Sequence, residues 1–142
     1  MNKNKIYRVL VVSLIVFFLF AGLTYWTISG LDFVRIQTNG NAYPRFVREI
    51  ECSLINNSLR AIKYGDLFYV EEYNSEPWIP LTLNHNVRFQ TGQMDLKPLS
   101  TVTLSFPVYL YSSFENEGFF RIVVPVKYGN SSSSLYYTFY VE

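Results

Sequence analysis

Residues 118–142, GFFRIVVPVKYGNSSSSLYYTFYVE, decide the fold. In the first half, Phe120, Ile122, Val124 and Val126 recur at every second position, the spacing that lines up side chains on one face of an extended strand. Pro125 has the opposite parity, and because proline donates no ladder hydrogen bond, it predicts an edge or a bulge. Residues 131–134 read as a flexible serine turn. The second half then alternates Leu135, Tyr137, Phe139 and Val141 against Tyr136, Thr138 and Tyr140, a second half-buried strand.

The same period continues upstream. TVTLSFPVYL (101–110) sets Val102, Leu104 and Phe106 against Thr101, Thr103 and Ser105, and the polar SSFENEG (112–118) turns the chain after it. RFVREIECSLIN (45–56) sets Ile50, Cys52 and Leu54 against Glu49, Glu51 and Ser53. Asn56-Asn57-Ser58 ends that strand, and LRAIKYGDLFYVEEY (59–73) divides at Gly65-Asp66 into two more. Pro77 and Pro80 bracket Trp78 and Ile79, which makes this piece an edge or a corner. NVRFQ (86–90) is a brief strand candidate, and MDLKPLS (94–100) is a turn about Pro98. Roughly seven or eight strands, with no helical periodicity among them, predict an all-β sandwich.

The N-terminus is different material. Residues 9–28, VLVVSLIVFFLFAGLTYWTI, carry no charge, and about twenty residues at ~1.5 Å rise match a hydrocarbon core of roughly 30 Å. Lys3, Lys5 and Arg8 precede the run, Tyr7 marks one interface, and Tyr25 with Trp26 marks the other. The expected organisation is a cytoplasmic cationic tail (1–8), a transmembrane anchor (9–28), a tether or first edge strand (29–45) containing the Asn39-Gly40-Asn41 turn, and a sandwich domain (46–142). The cationic flank places the N-terminus in the cytoplasm and the domain outside it. A cleaved signal peptide is the competing reading, and it exports the domain equally.

Charge narrows the function. The chain has 12 Lys and Arg against 11 Asp and Glu, and three of the cations precede the apolar run. The exported part is therefore mildly acidic and lacks the concentrated cationic footprint that nucleic acid requires. Cys52 is the only cysteine, so no intramolecular disulfide, redox pair or Cys-based zinc site is available. Its parity beside Ile50 and Leu54 makes it a core residue. His85, the single histidine, lies in the loop LNHN without carboxylate neighbours and reads as a solvated loop residue. Glu71 and Glu72 are adjacent on a strand and point to opposite faces. Glu115 and Glu117 share a turn without the DxDxDG pattern of a calcium loop. No GxSxG elbow exists. No catalytic, cofactor-binding or metal-binding residue is assigned. The candidate interaction surface is aromatic: Tyr136 and Tyr140 on the outward parity of the last strand, with Tyr109 or Tyr111, and Trp78 as either a binding platform or a core plug.

Several landmarks carry a resemblance. They are the strand ending in Asn56-Asn57-Ser58, Tyr64-Gly65 before residues 68–71, Trp78 after a polar turn, Leu96-Lys97-Pro98 before an alternating strand, Gly118-Phe119-Phe120-Arg121-Ile122, and an aromatic final strand. In this order, over residues 47–142, the chain resembles the bacterial immunoglobulin-like domains of secreted, lipid-anchored or membrane-anchored proteins of Gram-positive bacteria. Phe120 stands where such domains often have Tyr, so a hydroxyl tying that corner is missing, and so is the antibody cysteine pair. The resemblance implies an Ig-like sandwich outside the cell, without catalytic residues, acting as a structural or protein-interaction module on another protein or a cell-envelope component. The alternative is an accessory or sensor domain that captures a small molecule, sugar or metal ion near Trp78 and His85.

Overall fold

The computed structural model describes residues 3–28, 33–65, 67–83, 92–111 and 116–142, with helix side chains described for 6–24. His85, Glu115, Asp66 and the NVRFQ stretch lie outside the described residues, as do the side chains of Tyr25 and Trp26. Among the described residues one helix, α1 (Lys3–Ile28), holds a 19-residue stretch, Ile6–Thr24, long and apolar enough to cross a membrane. Thr24 inside it donates to the carbonyls of Phe20 and Ala21, the local satisfaction that makes a hydroxyl tolerable in an apolar helix.

The remainder is a two-sheet sandwich. The smaller sheet has the order β1-β3-β8 and is built from β1 (Val34–Thr38), β3 (Ile50–Asn56) and β8 (Ser100–Phe106). The larger contains β2 (Ala42–Tyr43), β4 (Ile62–Gly65), β5 (Tyr69–Tyr73), β6 (Trp78–Pro80), β7 (Gln93–Leu96), β9 (Gly118–Tyr128) and β10 (Ser131–Val141). Its order is β2-β10-β9-β4-β7, with β5 also on β9 and β6 on β5. All pairings are antiparallel except β2 with β10. Sheet pairing starts at Val34, so the segment before residue 46 supplies one strand to each sheet.

The alternation seen in the sequence becomes the core. Ile50, Cys52 and Leu54 of β3 face inward opposite Phe120, Ile122, Val124 and Val126 of β9 and Phe139 and Val141 of β10, all of them buried. Each such aliphatic or aromatic side chain contributes roughly 1.5–3 kcal/mol by leaving water. Phe68 packs edge-on to Phe106 at 4.7 Å and tilted to Tyr111 at 5.5 Å, closing one end of the sandwich.

Three local expectations change. The serines at 131–134 begin β10: the turn is Gly129-Asn130 alone, where Gly129 at φ +57° supplies the left-handed backbone a two-residue hairpin needs. Met94, Asp95 and Leu96 belong to β7, so the turn about Pro98 starts only after them. Pro125 lies in a strand paired on both sides, not at an edge. The interruption it predicts falls on the neighbouring strands: β9 pairs with β4 at Tyr64↔Val126 and resumes with β5 at Tyr69↔Val123, leaving extra residues between them. The Tyr140 N–H donates to the Asn41 carbonyl at 2.8 Å, so even-numbered residues of β10 aim their backbone away from β9. By the antiparallel alternation, Pro125, opposite Ser134, aims its nitrogen away from β10 into that gap.

Candidate functional site

The outer face of the larger sheet is built by odd residues of β9 and β5 and even residues of β10. Arg121 is at its centre. Its register partners are Thr138 on β10 and Glu71 on β5, and its guanidinium forms an ion pair with the Glu71 carboxylate. On opposite flanks lie the Trp78 ring, 4.4 Å from the guanidinium carbon, and the Tyr136 ring, at 4.6 Å. A planar guanidinium stacks on aromatic faces by attraction to their negative π surface, so one cation holds two rings from strands far apart in sequence. Tyr73, the register partner of Trp78 across the β5–β6 hairpin, packs on its ring at 5.2 Å.

Further along the strands, Phe119 and Tyr140 stack at 5.0 Å, and the Tyr140 hydroxyl donates to Glu117 at 2.6 Å. Arg45 pairs with the same carboxylate at 2.7 Å. The Tyr140 hydroxyl and the Arg45 guanidinium together hold Glu117 below the usual carboxylate range, while Glu117 pushes Tyr140 upward. Between Phe119, Thr138 and Tyr140, bounded by Asn41 and Ala42, is a shallow cleft of about 320 Å³. Phe119, Tyr136 and Tyr73 are among the more exposed large side chains of the domain.

The structure thus brings Tyr136, Tyr140 and Trp78 onto one face. Tyr109 is elsewhere, on a 3-10 turn over Val108–Leu110 with Arg48 above its ring at 5.0 Å. Tyr111 corrects the expectation of an exposed ring: it is 4 % exposed, and its hydroxyl donates to the Phe68 carbonyl at 2.7 Å. Burial pushes that hydroxyl up to about 12. Trp78 is half-buried, neither core plug nor free platform. Arg121 and Tyr73, which organise the face, were not singled out by residue type; the usable signal was the outward parity of Arg121 within the otherwise apolar run from Phe119 to Val126.

Cys52 is buried, and burial raises its thiol to about 12, as befits a core residue. Among the described residues no group of three or more His, Cys, Asp or Glu side chains is placed to hold a metal ion. Glu71 and Glu72 do diverge, the first toward Arg121 on the outer face, the second opposite Phe120 in register.

No curated protein matches the chain. Among solved structures, the E. coli chaperone DraB is similar at a TM-score of 0.50 and 12% identity, over 77% of this chain and 54% of that one. The periplasmic chaperone SfaE is similar at 0.49 and 9%, over 77% and 56%. A β-glucosidase from Erythrobacter marinus is similar at 0.41 and 12%, over 76% of this chain and 15% of its own. This chain therefore spans about half the length of the two chaperones, and at such identities the likeness concerns the fold alone. The profile of the family described as Bacterial Ig-like domain matches residues 30–140, nearly the whole sandwich, and with two packed sheets of matching landmarks the chain belongs to the bacterial Ig-like domain family.

Proposed function

We propose that this protein is a membrane-tethered Ig-like module that works by contact with another protein or a cell-envelope component through the outer face of its larger sheet. The observation that carries the reading is the aromatic cluster held by Arg121: aromatic and Arg side chains are the residue types that anchor interfaces, and here they are pre-positioned by an ion pair and two cation–π contacts. The Ig-like fold is that of a structural or interaction module. Residues 9–28 form the anchor in this reading, with residues 1–8 on the cytoplasmic side and the sandwich, from β1 onward, outside the cytoplasm. The support is physical: apolar side chains all round the helix, such as Phe17, Phe18 and Leu23, are exposed in the protein itself and call for a lipid environment, while the cations cluster at its start.

The test has two parts. A C-terminal reporter that is active only outside the cytoplasm is the expected result, and activity confined to the cytosol overturns the topology. Crosslinking in intact membranes is expected to recover a defined adduct that is lost in Trp78→Ala/Tyr136→Ala while the protein stays folded. An adduct indifferent to those changes refutes the assignment of the face.

A further inference from the structure

The larger sheet ends at β10, and β10 is covered only in part. Its outer edge pairs with β2 at Tyr140 and Val141, and Asn41 accepts from Tyr140, but residues 131–138 have no strand hydrogen-bonded to that edge among the described residues; β1 of the smaller sheet passes close to β10, where the Thr38 hydroxyl donates to the Tyr137 hydroxyl, without pairing to its backbone. The register with β9 is continuous over the whole of β10, so the backbone alternation set at Tyr140 extends to the hairpin. Ser132, Ser134, Tyr136 and Thr138 therefore aim their N–H and C=O groups outward, away from β9. Sheet edges of this kind are commonly blunted by charge, proline or a bulge. SSSSLYYT contains none of these.

A second feature lies at the end of this edge. The cleft of about 320 Å³ is lined by Thr138, Phe119 and Tyr140 on the outer face, by Phe139 between them, and by Asn41 and Ala42, where β2 begins. A strand added beside Ser132–Thr138 would abut Asn41 and present every second side chain to the outer face, with one of them at the cleft mouth. A self-pairing of two copies that overlaps the whole free edge sets Ser132 opposite Thr138, and serine is too small to fill the space.

We infer that the free edge of β10 is a strand-addition site for an extended, uncharged segment of a partner protein, with a bulky apolar side chain seated between Phe119, Thr138 and Tyr140. Backbone hydrogen bonds supply the affinity and the cleft supplies the selectivity, the division of labour expected of strand addition. This deepens the interaction reading above and rests on it, but it concerns the edge of the sheet and not the Arg121 cluster.

The test is residue-resolved amide hydrogen exchange on the full chain in detergent micelles. The probes are two capped heptapeptides of alternating threonine and valine, with one phenylalanine near either end. Bound peptide is expected to slow exchange at Ser132, Ser134, Tyr136 and Thr138 by about tenfold or more, leaving the odd-numbered amides, already bonded to β9, unchanged. Replacing the phenylalanine by alanine is expected to weaken this protection. Ser134→Pro removes an outward N–H without breaking a bond to β9, so it is expected to abolish the protection with the fold intact; Ser132→Pro serves if the first variant is unstable. Absence of protection with both peptides, protection at odd amides, or protection that survives the proline overturns the inference. Protection that rises with protein concentration without peptide assigns the edge to a second copy and also overturns it. Loss of the edge effect with the crosslinked adduct retained leaves the Arg121 face standing, so the two claims fail separately.

Discussion

Asn56 offers the sharpest test of what holds the two sheets in register. It ends β3, is fully buried, and uses its whole side chain. The amide nitrogen donates to the carbonyls of Arg60 at 2.8 Å and Lys97 at 2.9 Å, with Leu96 at 3.3 Å sharing the same two hydrogens. The amide oxygen accepts from the Ser58 N–H at 3.1 Å and the Ser58 hydroxyl at 2.6 Å. One side chain therefore joins the end of the smaller sheet to the end of β7 in the larger. Asn56→Ala removes about four hydrogen bonds at roughly 1 kcal/mol each and strands buried carbonyls and a buried N–H, so the expected loss is about 3–5 kcal/mol. Against a typical total of about 5–15 kcal/mol, that is a large share of the stability. Asn56→Asp keeps the shape and is expected to be worse at neutral pH, because a carboxylate replaces a donor facing three carbonyls. Its folded-state pKa is then raised above the ordinary aspartate value. On acidification the folded state takes up the proton first, and the deficit of Asn56→Asp shrinks as pH falls from the raised value to about 3.9. The assay is urea unfolding of the chain in detergent followed by near-ultraviolet circular dichroism, with midpoints compared at constant slope. A loss below about 1 kcal/mol for Asn56→Ala, or an Asn56→Asp deficit that grows on acidification, refutes the reasoning.

Three further outcomes follow from single contacts. Tyr111→Phe keeps the packing against Phe68 and deletes the bond to its carbonyl, so unfolding should become easier by about 1–2 kcal/mol, while Tyr109→Phe at the surface should be nearly silent. The Cys52 thiol, buried and held up to about 12, should resist alkylation in the native protein at pH 8 and react on unfolding; prompt labelling of the folded chain contradicts its place in the core. Glu117 is held low by Tyr140 and Arg45, so its contribution is present above its unfolded-state pKa and is lost as pH falls through the lower folded value. A pH series of melting temperatures should therefore show wild type and Glu117→Gln differing at neutral pH and converging in acid.

Much of the fold was legible because one face of each long strand is buried. In β3 the two-residue alternation is the burial pattern itself, β9 keeps it except at Val123, which is buried on the outward parity, and β8 and β10 follow it with their ends more open. Turns were less legible where composition misleads: four serines look flexible, yet the Gly129-Asn130 turn needs only two residues, and the serines pair in register with Tyr128, Lys127, Val126 and Pro125 of β9. The burial of Tyr111 was not legible because a 3-10 turn over Val108–Leu110 breaks the alternation of β8 before the chain reaches it. The Arg121 cluster was invisible for a different reason. Trp78, Glu71 and Tyr136 meet Arg121 only through cross-strand register, and register is a property of pairing that no single segment contains.

The position of that cluster depends on the interruption opposite Pro125. Because the proline has no N–H to offer on the side of β4 and β5, the chain can leave the ladder after Tyr64 and rejoin it at Tyr69 without orphaning a donor. The break lets β4 keep β7 as its neighbour while β5 takes β6, and Gly65 accommodates the close passage, since a Cβ there would stand 3.2 Å from the Gly92 carbonyl. Freed from β7, the β5–β6 hairpin brings Trp78 level with Tyr73 and over Arg121. Replacing Pro125 by valine restores an N–H that faces the gap, a donor with no strand carbonyl in register. A modest loss of stability is the expected result, together with a change in Trp78 fluorescence as the hairpin shifts. If the fluorescence is unchanged, the interruption does not set the hairpin, and the cluster must be held by Arg121 and Glu71 alone.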